Sequence, residues 1–212
     1  MLETAALVLK VLAYAAALTA AGPVLALCTL VREPSIGPDT ARYVTHLVRV
    51  AGAVLAAAAL GSAALYVVRL GGSLDAPTLR AIFVSPLGMT LTLQCLAGTW
   101  LALRGERAAI LPAALVLLSF AVSGHAFARG PLPAAVVLLH VSAAAWWIGG
   151  LGILWTASRN LAPDPFAAMV GRFGTQALAV VVVLIVAGLT GAGILLQFDP
   201  DPTRGSERTL VA

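Results

Sequence analysis

The chain has 212 residues, 60% of them hydrophobic and only 10% charged, with a mean hydropathy of +0.99. Soluble domains carry about 25% charged residues, so this composition excludes that class and points to a polytopic membrane protein. The formal net charge is +4 and all basic residues but Lys10 are arginine. They stand singly or in pairs at the ends of apolar runs, which argues for membrane orientation and against nucleic acid as a partner.

A bilayer core takes roughly 20 apolar residues per helix, and the chain supplies about six such runs. Alternating ten-residue segments of the β-barrel kind are missing. Run one covers residues 5–31 and is read as a retained helix rather than a signal peptide, since Glu3 and Lys10 replace a basic leader. Gly22-Pro23 lies inside it and predicts a kink. Asp39 is the expected N-cap of run two, residues 42–70, whose start carries Arg42, His46 and Arg49 at roughly helical spacing. Residues 71–85 are too polar for the core. Asp75-Ala-Pro77 reads as a helix start, with Leu79, Ile82 and Phe83 on one apolar face of a short helix lying on the membrane surface.

Run three, residues 86–103, carries Met89, Gln94 and Cys95, and Gln94 is expected to hydrogen-bond a neighbouring helix. Cys28 and Cys95 are lone thiols read as small buried hydrophobes. Run four covers residues 108–127 and run five residues 133–156. Run six begins amphipathically at Met169, Arg172 and Phe173 and continues to Leu196. The expected architecture is thus an all-α bundle of about six transmembrane helices plus one interfacial helix over residues 1–198. Residues 199–212 form a polar, Pro-rich tail expected to be disordered.

Short loops make sequential helices antiparallel neighbours. With the N-terminus outside, the inner side carries Arg32, Arg42, Arg49, Arg104, Arg107, Arg159 and Arg172, and the outer side Lys10, Arg69, Arg80, Arg129, Arg204 and Arg208. That balance leans towards an N-out topology, in which His125 and His140 face outwards and His46 the cytoplasm.

The stretch His140–Leu151, HVSAAAWWIGGL, stands out. A histidine in so apolar a run needs a partner that lipid does not supply. His140, Ala143, Ala144, Trp147 and Leu151 share one helical face, and Gly149 and Gly150 remove side chains where another helix can approach. His125, in SGHAF, ends the preceding run, so the two imidazoles are expected at one side of the bilayer. Met89, on a helix starting at that side, is a weaker third candidate. Imidazole with thioether suits copper, whereas magnesium or calcium would want carboxylates. Two other readings of the pair stay open: axial ligation of a b-type haem in an electron-transfer subunit, and plain hydrogen bonding in a metal-free assembly subunit. No nucleophile constellation or phosphate-cradling loop is present, so an enzyme is not expected.

SGHAF, LHVSAAAWWIGGLGIL and GRFGTQALAVVVVLIVAGLTGAG resemble the core of the bacterial copper resistance protein D family. There a GHA turn precedes an H-x5-W-x-G-G-L helix and then an RFS-type helix start. LRAIFVSPLGMTLTL is similar to the family's surface segment and following helix. The chain departs from the pattern in its paired Trp146 and Trp147 and in Gly174, where RFS would place serine. The resemblance implies an inner-membrane protein of copper uptake or resistance, working with a periplasmic copper carrier. Family members continue with further membrane helices, so a second copy or another membrane subunit is expected to complete a pathway.

Overall fold

The computed structural model describes residues 2–30, 37–71, 75–105, 109–123 and 128–197. Within them the chain forms seven helices and no strand: α1 (Leu2–Leu30), α2 (Pro38–Arg69), α3 (Ala76–Val84), α4 (Pro86–Arg104), α5 (Ile110–Ala121), α6 (Pro131–Asn160) and α7 (Pro163–Gln197). Five of them, α1, α2, α4, α6 and α7, are long and apolar enough to cross a bilayer. Run four is represented by the 12-residue α5, about 18 Å at 1.5 Å per residue. Residues 108 and 124–127 of that run, and the tail 199–212, lie outside the described residues. The protein is an all-α, multi-pass membrane bundle.

The helix starts follow local chemistry. Ser85 caps α4, its Oγ accepting from Gly88 N at 3.0 Å with Pro86 at the first helical position. The α2 start differs from the sequence expectation. Gly37, at φ 32°, precedes Pro38, and Asp39 falls in the first turn, where its carboxylate meets Arg42 at 2.7 Å instead of capping. A proline one residue earlier has taken the helix start. In α3 only Ile82 of the expected apolar face is buried, while Phe83 and Val84 are 60% and 71% exposed. Ile82 turns towards α4, so closely that a Cβ on Gly88 would meet its carbonyl.

Helix α1 is central. It packs on α2, α5 and α6, whereas α7 leans mainly on α6. Half of the most apolar stretch of α1 is buried, against 11% of that of α7. The buried face of α1 is built from small residues, among them Ala13, Ala17, Ala20, Ala21 and Gly22. Lipid tails are as apolar as leucine, so helices associate in a bilayer through close packing, and small side chains let backbones approach. The α2–α4 crossing works in the same way: a Cβ on Gly52 would stand 2.7 Å from Gly98 O, and one on Gly98 2.8 Å from Gly52 O. Gln94 makes the interhelical bond its sequence position predicts, Nε2 donating to Ser119 Oγ of α5 at 3.2 Å. Cys28, expected to be buried, is exposed on α1, and Cys95 is half-buried. Cys28 falls off the alanine face that meets α6.

At the far end of α1 the last turn lacks a basic residue of its own. Helix α7 supplies one, with Arg172 Nη1 donating to Leu30 O at 3.3 Å and Gln176 Nε2 to Thr29 O at 3.1 Å. Both occupy carbonyls that the helix end leaves without a partner.

Candidate functional site

Helix α6 starts after Gly130, at φ 111°, with Pro131 at its first position. His140 follows nine residues later, about 14 Å along the axis. Its ring is exposed at the seam with α7, where a Cβ on Gly188 would stand 4.0 Å from His140 Cε1. Among the described residues the imidazole makes no hydrogen bond. The face read from the sequence is therefore mixed: Ala143 is buried, Trp147 half-buried, and His140 and Leu151 exposed.

The remaining candidates divide. His125 lies outside the described residues, and with it any meeting of the two imidazoles. Met89 is 40% exposed near the start of α4, a helix that packs mainly on α2 and α5, whereas α6 packs mainly on α1 and α7 and shares α2 and α5 with α4 as neighbours. His46 is exposed on α2 and Met169 buried on α7. Among the described residues no group of three or more His, Cys, Asp or Glu side chains is placed to hold a metal.

Deeper in α6 the aromatic and glycine residues make helix contacts. Gly149 lies against Gly22 and Pro23 of α1, so that a Cβ there would meet backbone atoms of both. A Cβ on Gly150 would stand 2.6 Å from the Phe173 ring of α7. Trp146 is the more buried indole: it stacks on Phe173 at 5.3 Å and 4°, and its Nε1 donates to Thr29 Oγ1 at 2.7 Å. Trp147 meets the same Phe173 ring at 5.7 Å and 55°. Trp146, Phe173 and Thr29 thus tie α1, α6 and α7 together beyond His140.

Sequence reasoning missed a cleft of about 580 Å³ at the end of the bundle where α1 begins. Lys10 and Tyr14 of α1 and Ser62, Tyr66 and Arg69 of α2 form one side. The other is lined by Leu87, Thr90, Leu91 and Gln94 of α4, Phe120 of α5, Ser123, and Val137 and Val141 of α6. Lys10 Nζ sits 6.0 Å above the Tyr14 ring, which meets Phe120 edge-on at 4.9 Å. Two signals were present in the sequence: a lysine inside an apolar run, and its spacing of four from a tyrosine. Their convergence with Arg69 required the packing of α1 on α2.

The chain matches no protein-family model, no curated protein and no solved structure.

Proposed function

We propose that this protein handles copper in a bacterial inner membrane, accepting it as cargo at the outer face through His140 and His125. The observation that carries this reading is His140: an imidazole about 14 Å into a membrane helix, unbonded among the described residues, within an H-x5-W-x-G-G-L pattern. A polar ring in that setting calls for a partner from outside the helix. The likeness of SGHAF and the following helix to the copper resistance protein D family names copper as that partner and His125 as the second imidazole.

In this reading His140 binds as a neutral imidazole, the form with a free lone pair. Met89, three residues into α4, lies nearer the surface and serves as an exposed thioether that receives copper first. Soft and borderline donors of these kinds suit Cu(I) and Cu(II). The rigid α1–α6–α7 seam around Gly149, Gly150 and Trp147 fixes the helix that carries His140. Copper arrives from a periplasmic carrier, and a second copy or another membrane subunit completes the path across the bilayer. No chemical step is assigned to the chain.

The test is copper accumulation in a host lacking its own copper importers, comparing the wild-type chain with His140→Ala and His125→Ala at matched membrane levels. The proposal expects copper-dependent accumulation with the wild type and its loss in either variant. Equal accumulation in all three strains would sink it. Orientation is tested by cysteine labelling of intact cells in a background without Cys28 and Cys95. Leu70→Cys should react from outside and Asp164→Cys only after permeabilisation; the reverse pattern would invert the assignment.

A further inference from the structure

We infer that the cleft where α1 begins is a binding site for one anionic phospholipid, its phosphate held by Lys10 and Arg69. This site is separate from the copper reading and uses neither histidine. The two cations come from antiparallel neighbours, Lys10 eight residues after the start of α1 and Arg69 at the end of α2. Among the described residues neither is ion-paired and no carboxylate lines the cleft. Two unneutralised positive charges facing one cavity create a field that repels a metal cation and attracts an anion.

The distribution of donors sharpens the ligand's chemistry. Charged and phenolic donors, Lys10, Tyr14, Tyr66 and Arg69, all stand on α1 and α2. On the opposite side Thr90 Oγ1 donates to Pro86 O at 2.8 Å and Ser123 Oγ to Phe120 O at 2.8 Å, so their protons are already committed. Ser119 Oγ donates to Val116 O at 2.6 Å and so receives Gln94 Nε2, which leaves the Gln94 carbonyl oxygen as an acceptor. The cleft therefore offers donors to an oxyanion on one side. On the other it offers acceptors together with an apolar wall of Leu87, Leu91, Val137 and Val141. A free phosphate would use only the first side. A phospholipid with a hydroxylated headgroup uses both, its phosphate on the cations, a hydroxyl towards Gln94 and an acyl chain along the wall. Basic pockets between membrane helices favour anionic lipids on the same grounds.

The experiment is native mass spectrometry of the full chain in detergent, titrated with phosphatidylglycerol or phosphatidylcholine. The wild type should bind one phosphatidylglycerol in clear preference to phosphatidylcholine. Each of Lys10→Gln and Arg69→Gln should reduce that preference about fivefold, and the double variant about 25-fold, at constant unfolding temperature. Arg104→Gln, an exposed arginine at the end of α4 outside the cleft, should leave it unchanged. Leu91→Trp fills the cavity while keeping both cations and should also abolish binding. Retention of binding by Leu91→Trp, or of the full preference by the double variant, would overturn the inference. So would displacement of the lipid by millimolar inorganic phosphate, which would make the site one for a free anion.

Discussion

The α1–α6 seam gives the sharpest test of the packing, through Gly149→Ala compared with Gly152→Ala. Both replace a glycine by alanine three residues apart in one membrane helix, so both gain the same helix propensity, about 1 kcal/mol. They differ in what the new methyl meets. At Gly152 nothing stands within 4 Å, whereas at Gly149 the methyl meets the backbone of Gly22 and Pro23. Backbone atoms have no rotamer to change, so α1 and α6 must separate. A gap of 0.5–1 Å forfeits roughly a quarter to a half of the dispersion attraction along the seam, and overpacking of this kind costs about 1–3 kcal/mol. Gly152→Ala should be neutral to stabilising by up to about 1 kcal/mol. Gly149→Ala should fall about 1–3 kcal/mol below it. The assay is reversible unfolding in mixed micelles titrated with SDS. Equal stabilities for the two variants would refute the close approach of α1 and α6.

Three further substitutions probe the polar ties between helices, read in the same assay. Trp146→Phe keeps an aromatic ring against Phe173 but removes the donor to Thr29 Oγ1, and should cost about 1 kcal/mol; Trp146→Ala loses the ring as well and should cost about 3–5 kcal/mol. Gln94→Leu breaks the bond to Ser119 between α4 and α5, and should cost about 0.6 kcal/mol, the typical worth of such a bond in a bilayer. Arg172→Gln removes the charge that α7 places on the end of α1. It should cost about 0.5–1 kcal/mol, a loss that shrinks as salt is added. Ser119 Oγ keeps Val116 O as its acceptor in that variant, so a cost above about 2 kcal/mol for Gln94→Leu would contradict this reading.

Much of the fold was legible because its signals are local and strong. Apolar runs bounded by Arg32 to Pro38, Gly71 to Asp75 and Asn160 to Pro163 announce helices whatever packs against them. Gln94, a lone amide in an apolar run, has to find a partner, and Ser119 is there. Pairings across the bundle were less accessible. Nothing in the sequence says that Gly149 meets Gly22, or that Trp146 rather than Trp147 turns inwards to Thr29, because both follow from the rotation of α6 about its own axis. The same rotation leaves His140 exposed at the α7 seam while Ala143 is buried, although their spacing with Trp147 put all three on one helical face. Lys10 and Arg69, read as markers of orientation, acquire a second meaning only when α1 and α2 bring them to one cleft.

Copper and iron measured together on the purified chain, after loading with copper and passage over a chelating resin, test the functional claim most directly. About one copper per chain and negligible iron are expected, with the copper lost in the His125→Ala/His140→Ala double variant. Copper retained by that variant at the wild-type level would contradict that claim. So would stoichiometric iron with a Soret band, which would make the histidines ligands of a haem.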